Sequence, residues 1–62
     1  MTPEAISNLR RKLGLSQPEF ARLYRINLAT LRCWEQGSRQ PTGTALALII
    51  AIAVTAAAIQ GT

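Results

Sequence analysis

Three carboxylates (Glu4, Glu19, Glu35), one thiol (Cys33) and seven Lys or Arg side chains are the groups with which this 62-residue chain could do chemistry. The stretch RCWEQGSRQP, residues 32–41, concentrates them: it holds the one Trp, the one Cys and Glu35 side by side. General acid–base work at Glu35 would need a second titratable partner. Glu4 and Glu19 stand where helices begin and are taken up by the positive helix ends, so catalysis is not expected. With one Cys and no His or Asp there is no zinc spacing, no internal disulfide and no cofactor to propose. Cys33 is not read as a reactive thiol.

The cations suggest other chemistry. A formal net charge of +4 and a pI near 10.8 favour a polyanionic partner. All ten charged residues lie between Glu4 and Arg39, and none follows from Gln40 to Thr62. A solvated basic module therefore precedes a segment that must be covered. A chain of this length is expected to be one domain, 1–62, with a marginal core supported by helix packing and self-association. Its N-terminal MTPEAISNLRRK lacks the apolar run of a signal peptide, and a single thiol suits a reducing compartment, so a cytoplasmic location is expected.

Helical signals then place the groups. Thr2 as N-cap, Pro3 at the first helical position and Glu4 in the first turn start a helix carrying Ile6, Leu9 and Leu13 inward. Gly14 suits a left-handed end, with Leu15 folding back. Ser16 and Glu19 form a capping box for a second helix running to about Tyr24, which buries Phe20, Ala21 and Leu23. Asn27 caps a third helix that carries Leu31 and Trp34 inward and stops at Gly37; an exposed binding aromatic is the other reading of Trp34. No segment alternates as a strand, so the fold class is all-α, with four to five helices. Two short helices joined by YRIN match a helix-turn-helix over about 16–37, or an ordinary helical hairpin.

LSQPEFARLYRINLATLRCWEQGSRQP resembles the DNA-binding core of the Cro/cI-type (XRE) helix-turn-helix regulators, which include phage repressors, HigA-like antitoxins and regulators of mobile elements. The resemblance rests on Leu15-Ser16-Gln17, Glu19-Phe20-Ala21, Ile26-Asn27, Thr30-Leu31 and Trp34-Glu35-Gln36-Gly37 with Arg39 and Pro41, about half the chain. It implies a compact lambda-repressor-like domain. Gln17 would touch a phosphate at a helix N-terminus, and Asn27 would cap the recognition helix close to the backbone. Leu28, Ala29, Arg32, Cys33 and Gln36 would face the major groove, while Ser38, Arg39 and Gln40 meet flanking phosphates. Arg32 would read guanine through O6 and N7, and Leu28 and Ala29 suit thymine methyls, implying a T-rich element beside a G. A phosphate contact is the other reading of Arg32, and a half-buried structural thiol that of Cys33. The resemblance also implies a structural ion pair between Arg10 and Glu35. Arg25 departs from the pattern, standing where the turn usually has Gly.

TALALIIAIAVTAAAIQ, residues 44–60, is apolar almost all round. As a helix it would span roughly 25 Å, short of a hydrocarbon core of about 30 Å, and it lacks flanking aromatic and basic anchors. A membrane partner is therefore not expected. Ala45, Leu46, Ile49 and Ile50 are expected to complete the core. Leu48, Ile52, Val54 and Ile59 would form a two-fold homodimer contact in a segment of about 43–60. Thr55 would either cap a separate fifth helix or lie within one continuous helix. The function implied is a dimeric regulator binding a palindromic double-stranded operator, and nucleoid-associated when bound. The alternative is an antitoxin whose partner is a toxin and whose DNA binding is autoregulatory.

Overall fold

The computed structural model describes residues 2–60, with side chains described for 2–58. Among these residues there are four helices and no strand: α1 (Pro3–Lys12), α2 (Gln17–Leu23), α3 (Leu28–Gln36) and α4 (Gly43–Gln60).

Short side-chain caps set the starts of α1 to α3. The Ala5 N–H donates to Thr2 Oγ1 at 3.1 Å, satisfying one of the orphan donors at the start of α1. At α2 the capping box is complete: the Ser16 N–H donates to Glu19 Oε1 at 2.9 Å, and the Glu19 N–H donates to Ser16 Oγ at 3.2 Å. The bond from the Ser16 N–H foremost, and then the Ser16 side chain, hold the exposed Glu19 carboxyl below its usual range. Asn27 Oδ1 accepts from the N–H groups of Ala29 and Thr30 at 2.9 and 3.3 Å, which starts α3.

The helix ends reverse the chain by paired backbone bonds. After α1, the Gly14 N–H donates to the Arg11 carbonyl and the Leu15 N–H to the Arg10 carbonyl, the Schellman pattern. After α2 the same pattern recurs, with Arg25 to Arg22 and Ile26 to Ala21, but the left-handed position is held by Arg25 at φ +57°. The turn geometry thus overrides the steric preference of the residue that occupies it. Gly37 ends α3 at φ +86°, and its missing side chain also matters: a Cβ there would lie 3.1 Å from Pro3 Cγ.

Packing completes what the caps begin, since α2 has seven residues and is too short to persist alone. Ile6, Phe20, Leu31 and Ile49, one from each helix, are essentially removed from water, and Leu9, Ala21, Trp34, Ile52 and Ala56 surround them. Each large side chain so buried stabilises the fold by about 2 kcal/mol. Phe20 and Tyr24 rings stack tilted, 4.8 Å between centroids. Helix α3 packs against both α1 and α2, while α4 packs on α1.

Three apolar assignments are corrected. Leu23 is 62% exposed, because the face of α2 that meets α3 is used by Phe20 and Ala21. Ile52, expected at a dimer contact, is buried in the core of this chain, and Ile50, expected in the core, is 48% exposed. The reason is that α4 is continuous: Ile49, Ile52 and Ala56 follow one stripe at helical spacing, and Ile50 lies about 100° away from it. Thr55 does not cap a new helix; its hydroxyl donates to the Ala51 carbonyl at 2.9 Å, one turn back in α4. Ile59 lies outside the residues whose side chains are described.

The left-handed Arg25 generates a stability prediction. Arg25→Gly should raise the unfolding free energy by about 0.5–1 kcal/mol, because Gly relieves the positive φ. Urea unfolding checks this, with an unchanged or lower midpoint as the contrary result.

Candidate nucleic-acid interface

The candidate surface is one side of α3, and its orientation is set from the other. Leu31 and Trp34 point into the core, leaving Ala29, Arg32 and Gln36 exposed on the opposite side of the helix, with Cys33 half-buried beside them. Positions 29, 32, 33 and 36 follow i, i+3, i+4 and i+7 and therefore share one face. Leu28 is different: it is half-buried and packs against the core, so it lies at the margin of that face. Just beyond α3, Ser38, Arg39 and Gln40 are exposed. The turn after Gly37 is tightened onto α3, where the Cys33 carbonyl accepts from the N–H groups of Gly37 and Ser38 at 3.0 and 3.1 Å. The Ser38 hydroxyl donates to the same carbonyl at 3.4 Å.

Glu35 fixes the flank of α3. Arg10 Nε donates to Glu35 Oε2 at 2.9 Å and Nη2 donates to Oε1 at 3.0 Å, a two-pronged pair. The pair is largely dry, with side-chain exposures of 13% for Arg10 and 6% for Glu35. The Ser7 hydroxyl donates to Glu35 Oε1 at 2.8 Å, and Arg10 Nη1 donates to the Leu15 carbonyl at 2.9 Å. Burial pushes the Glu35 carboxyl up. The hydrogen bonds from Arg10 and Ser7, the Arg10 charge and a further hydrogen bond from Gln17 outweigh it and hold the pKa below the usual carboxylate range. The Glu35 hydrogen bond raises the Arg10 pKa in turn. Among the described residues, no buried side-chain N or O lacks a hydrogen-bond partner.

Ser7 and the Gln17–Glu35 contact are not anticipated by the sequence reading. Ser7 stands three residues before Arg10 on the same face of α1, a spacing that could have suggested it. Gln17, expected at a phosphate, is half-buried at the first position of α2 and interacts with Glu35. Asn27 is exposed, and its carboxamide oxygen is engaged by the start of α3. Among the described residues no group of three or more His, Cys, Asp or Glu could hold a metal ion.

Residues 6–52 match the helix-turn-helix family, a span that takes in all of α2, α3 and their connecting turn. The chain belongs to the helix-turn-helix family. Its residues and architecture place it among the XRE-type, lambda-repressor-like members, which are DNA-binding regulators. The chain is also similar to the antitoxin HigA-2 of Vibrio cholerae serotype O1 (strain ATCC 39315 / El Tor Inaba N16961). The two are 37% identical over 49 residues, which make up 79% of this chain and 47% of that protein. The chain thus spans about half the length of the curated relative it matches. No solved structure matches it. Among the described residues no helix is long and apolar enough to cross a membrane.

The Glu35 network predicts acid sensitivity. Since the folded-state pKa is depressed, the unfolded chain binds more protons on acidification. The stabilisation is complete above the ordinary Glu pKa of about 4.3 and is lost as pH falls through the folded value. Glu35→Ala leaves Arg10 stranded and should cost about 3 kcal/mol at neutral pH, and the loss of stability between neutral and acid pH should be shallower than in the unsubstituted chain. Unfolding midpoints measured across pH check both. An unchanged midpoint for Glu35→Ala at neutral pH contradicts the network's structural role.

Proposed function

We propose that the chain is a sequence-specific transcriptional regulator that binds a palindromic operator as a homodimer, with α3 lying in the major groove. The observation that carries this reading is the exposed Ala29, Arg32 and Gln36 face on a helix whose other sides are pinned by Leu31, Trp34 and Glu35. Arg32 is the long charged donor of that face, and a guanidinium reads guanine O6 and N7 as a fork. Ala29 and the exposed part of Leu28 offer apolar contact to thymine methyls. Gln17, Asn27, Ser38 and Arg39 flank the face and bring the helix to phosphates, with Cys33 adding a small, weakly polar surface. The chain acts by occupying promoter DNA, and operator placement decides the sign of regulation.

A second reading is favoured by the similarity to a protein named as an antitoxin. In that case the DNA-binding face autoregulates the promoter, and a toxin is the additional partner. The two readings share the interface described above and differ in whether a second protein binds.

Arg32→Ala separates base reading from phosphate contact. On a site selected by the unsubstituted chain, the variant should lose about 1–3 kcal/mol, a roughly 5- to 150-fold weakening, with little loss on unrelated duplexes and an unchanged helical circular dichroism spectrum. Fluorescence anisotropy at two salt concentrations checks this. An equal loss on all sequences with a shallower salt dependence would make Arg32 a phosphate contact and contradict the base-reading role.

A further inference from the structure

Four of the seven cations are not used by the α3 face. Arg10 is held by Glu35, and Arg32 and Arg39 lie on or beside that face. Arg11 and Lys12 are exposed in the last turn of α1, Arg22 is exposed in the last turn of α2, and Arg25 is exposed just beyond it. The carboxyl end of each helix contributes about half a negative charge, and Glu19 offsets Arg22 in part. The two helix ends together therefore remain positive.

Beside those ends lies an apolar recess. Leu13, next to Lys12, and Tyr24, next to Arg25, line a cavity of about 220 Å³ with Ala51, Ile52, Thr55 and Ala56 of α4. Ile52 and Ala56 are its buried floor, Leu13 and Tyr24 are half-buried walls, and Ala51 and Thr55 are exposed at its mouth. The Thr55 hydroxyl is already bonded to the Ala51 carbonyl, so it needs no hydrogen bond from an occupant. The volume falls below the roughly 300–1,000 Å³ of small-molecule sites and suits one or two apolar side chains. Leu23, the residue before Tyr24, adds exposed apolar surface at the end of α2.

We infer that this recess docks an acidic amphipathic helix of another protein, whose apolar anchor fills the cavity and whose carboxylates meet Arg11, Lys12 and Arg25. The inference goes beyond both readings above, since neither assigns this surface, and it holds whether or not α3 binds DNA. Other occupants fit less well. A second copy meeting the recess about a two-fold axis would set like charges together. A phosphodiester gains nothing from a recess lined by alkyl and aromatic groups. A bilayer is flat, whereas this site is concave between the ends of α1 and α2 and the side of α4. A helix with anchors at i, i+3, i+4 and i+7 and acidic flanks answers both the shape and the charge.

Heteronuclear NMR titration with a defined probe tests this. The probe is a synthetic helix of about 15 residues with Leu at i, i+3, i+4 and i+7 and Glu on its flanks, and a control peptide has Lys in place of each Glu. The acidic probe should shift the amides of Leu13, Tyr24, Ala51 and Thr55 saturably below about 1 mM, more weakly as salt rises, and leave Ala29, Arg32 and Gln36 unshifted. Arg11→Ala, and Arg25→Gly, which relieves the positive φ, should each weaken the probe about 2- to 5-fold. Ala51→Trp, which fills the mouth, should abolish binding with unchanged helical circular dichroism. Arg32→Ala should bind the probe as the unsubstituted chain does, so failure here is separable from failure of the DNA reading. No saturable shift by about 1 mM, equal binding of the Lys control, or shifts confined to the α3 face would each overturn the inference. So would concentration-dependent shifts at the same four residues without the probe, which would make a second copy the occupant. The same shifts with phosphatidylglycerol vesicles in place of the probe would make lipid the occupant and overturn it as well.

Discussion

A carboxylate at 6% exposure remains charged only with an opposite charge and hydrogen-bond donors beside it, and Glu35 finds them on two other helices. Arg10 and Ser7 come from α1, and Gln17 comes from the first turn of α2. Arg10 also reaches the Leu15 carbonyl, where the chain leaves α1 for α2. One side chain on α3 therefore ties the rotation of that helix to the positions of α1 and α2. With Leu31 and Trp34 held in the core, a rotation that turned Arg32 inward would strand the Glu35 carboxylate and bury a second guanidinium. The direction in which Arg32 points follows from the cost of burying charge.

That constraint also explains how so few residues form two surfaces. Stretch 32–37 alternates between roles along a helix of 3.6 residues per turn: Trp34 in the core, Glu35 on the flank, Arg32 and Gln36 outward, and Gly37 at a positive φ that turns the chain away. The basic residues remain on the α1–α3 portion. The uncharged α4 supplies Ile49, Ile52 and Ala56 to the core and leaves its other side free of charge. Electrostatics and apolar surface are thus separated along the chain as well as in space.

Local signals in the sequence were legible because they act over three or four residues. Thr2, Ser16 with Glu19, Asn27, Gly14 and Gly37 each mark a boundary through a hydrogen bond or a positive φ that needs no knowledge of the rest of the fold. The positive φ at Arg25 is implied by the family resemblance, since the turn usually has Gly there, and by no local signal. The faces of α4 could not be read this way, because a helix apolar on every side has no polar stripe to mark its exterior, and Ile50 and Ile52 exchanged roles for that reason. Leu23 is the opposite case: an apolar residue on a seven-residue helix reads as core, yet Phe20 and Ala21 fill the contact. Ser7 and Gln17 reach Glu35 across 28 and 18 positions of sequence, beyond any local pattern. The roles given to Ala29, Arg32, Gln36 and Arg39 toward DNA came from the family resemblance. Composition alone supplied only a basic chain with a polyanionic partner.

In the proposed function, a helix pinned by Glu35 presents Arg32 to a symmetric DNA site. Selection of bound duplexes from a random pool tests it most directly. The expected result is enrichment of two inverted half-sites whose centres lie about one helical turn, roughly 34 Å, apart, each with a guanine beside a T-rich element. Recovery of sequences with no shared motif, or of a motif without two-fold symmetry, would contradict it.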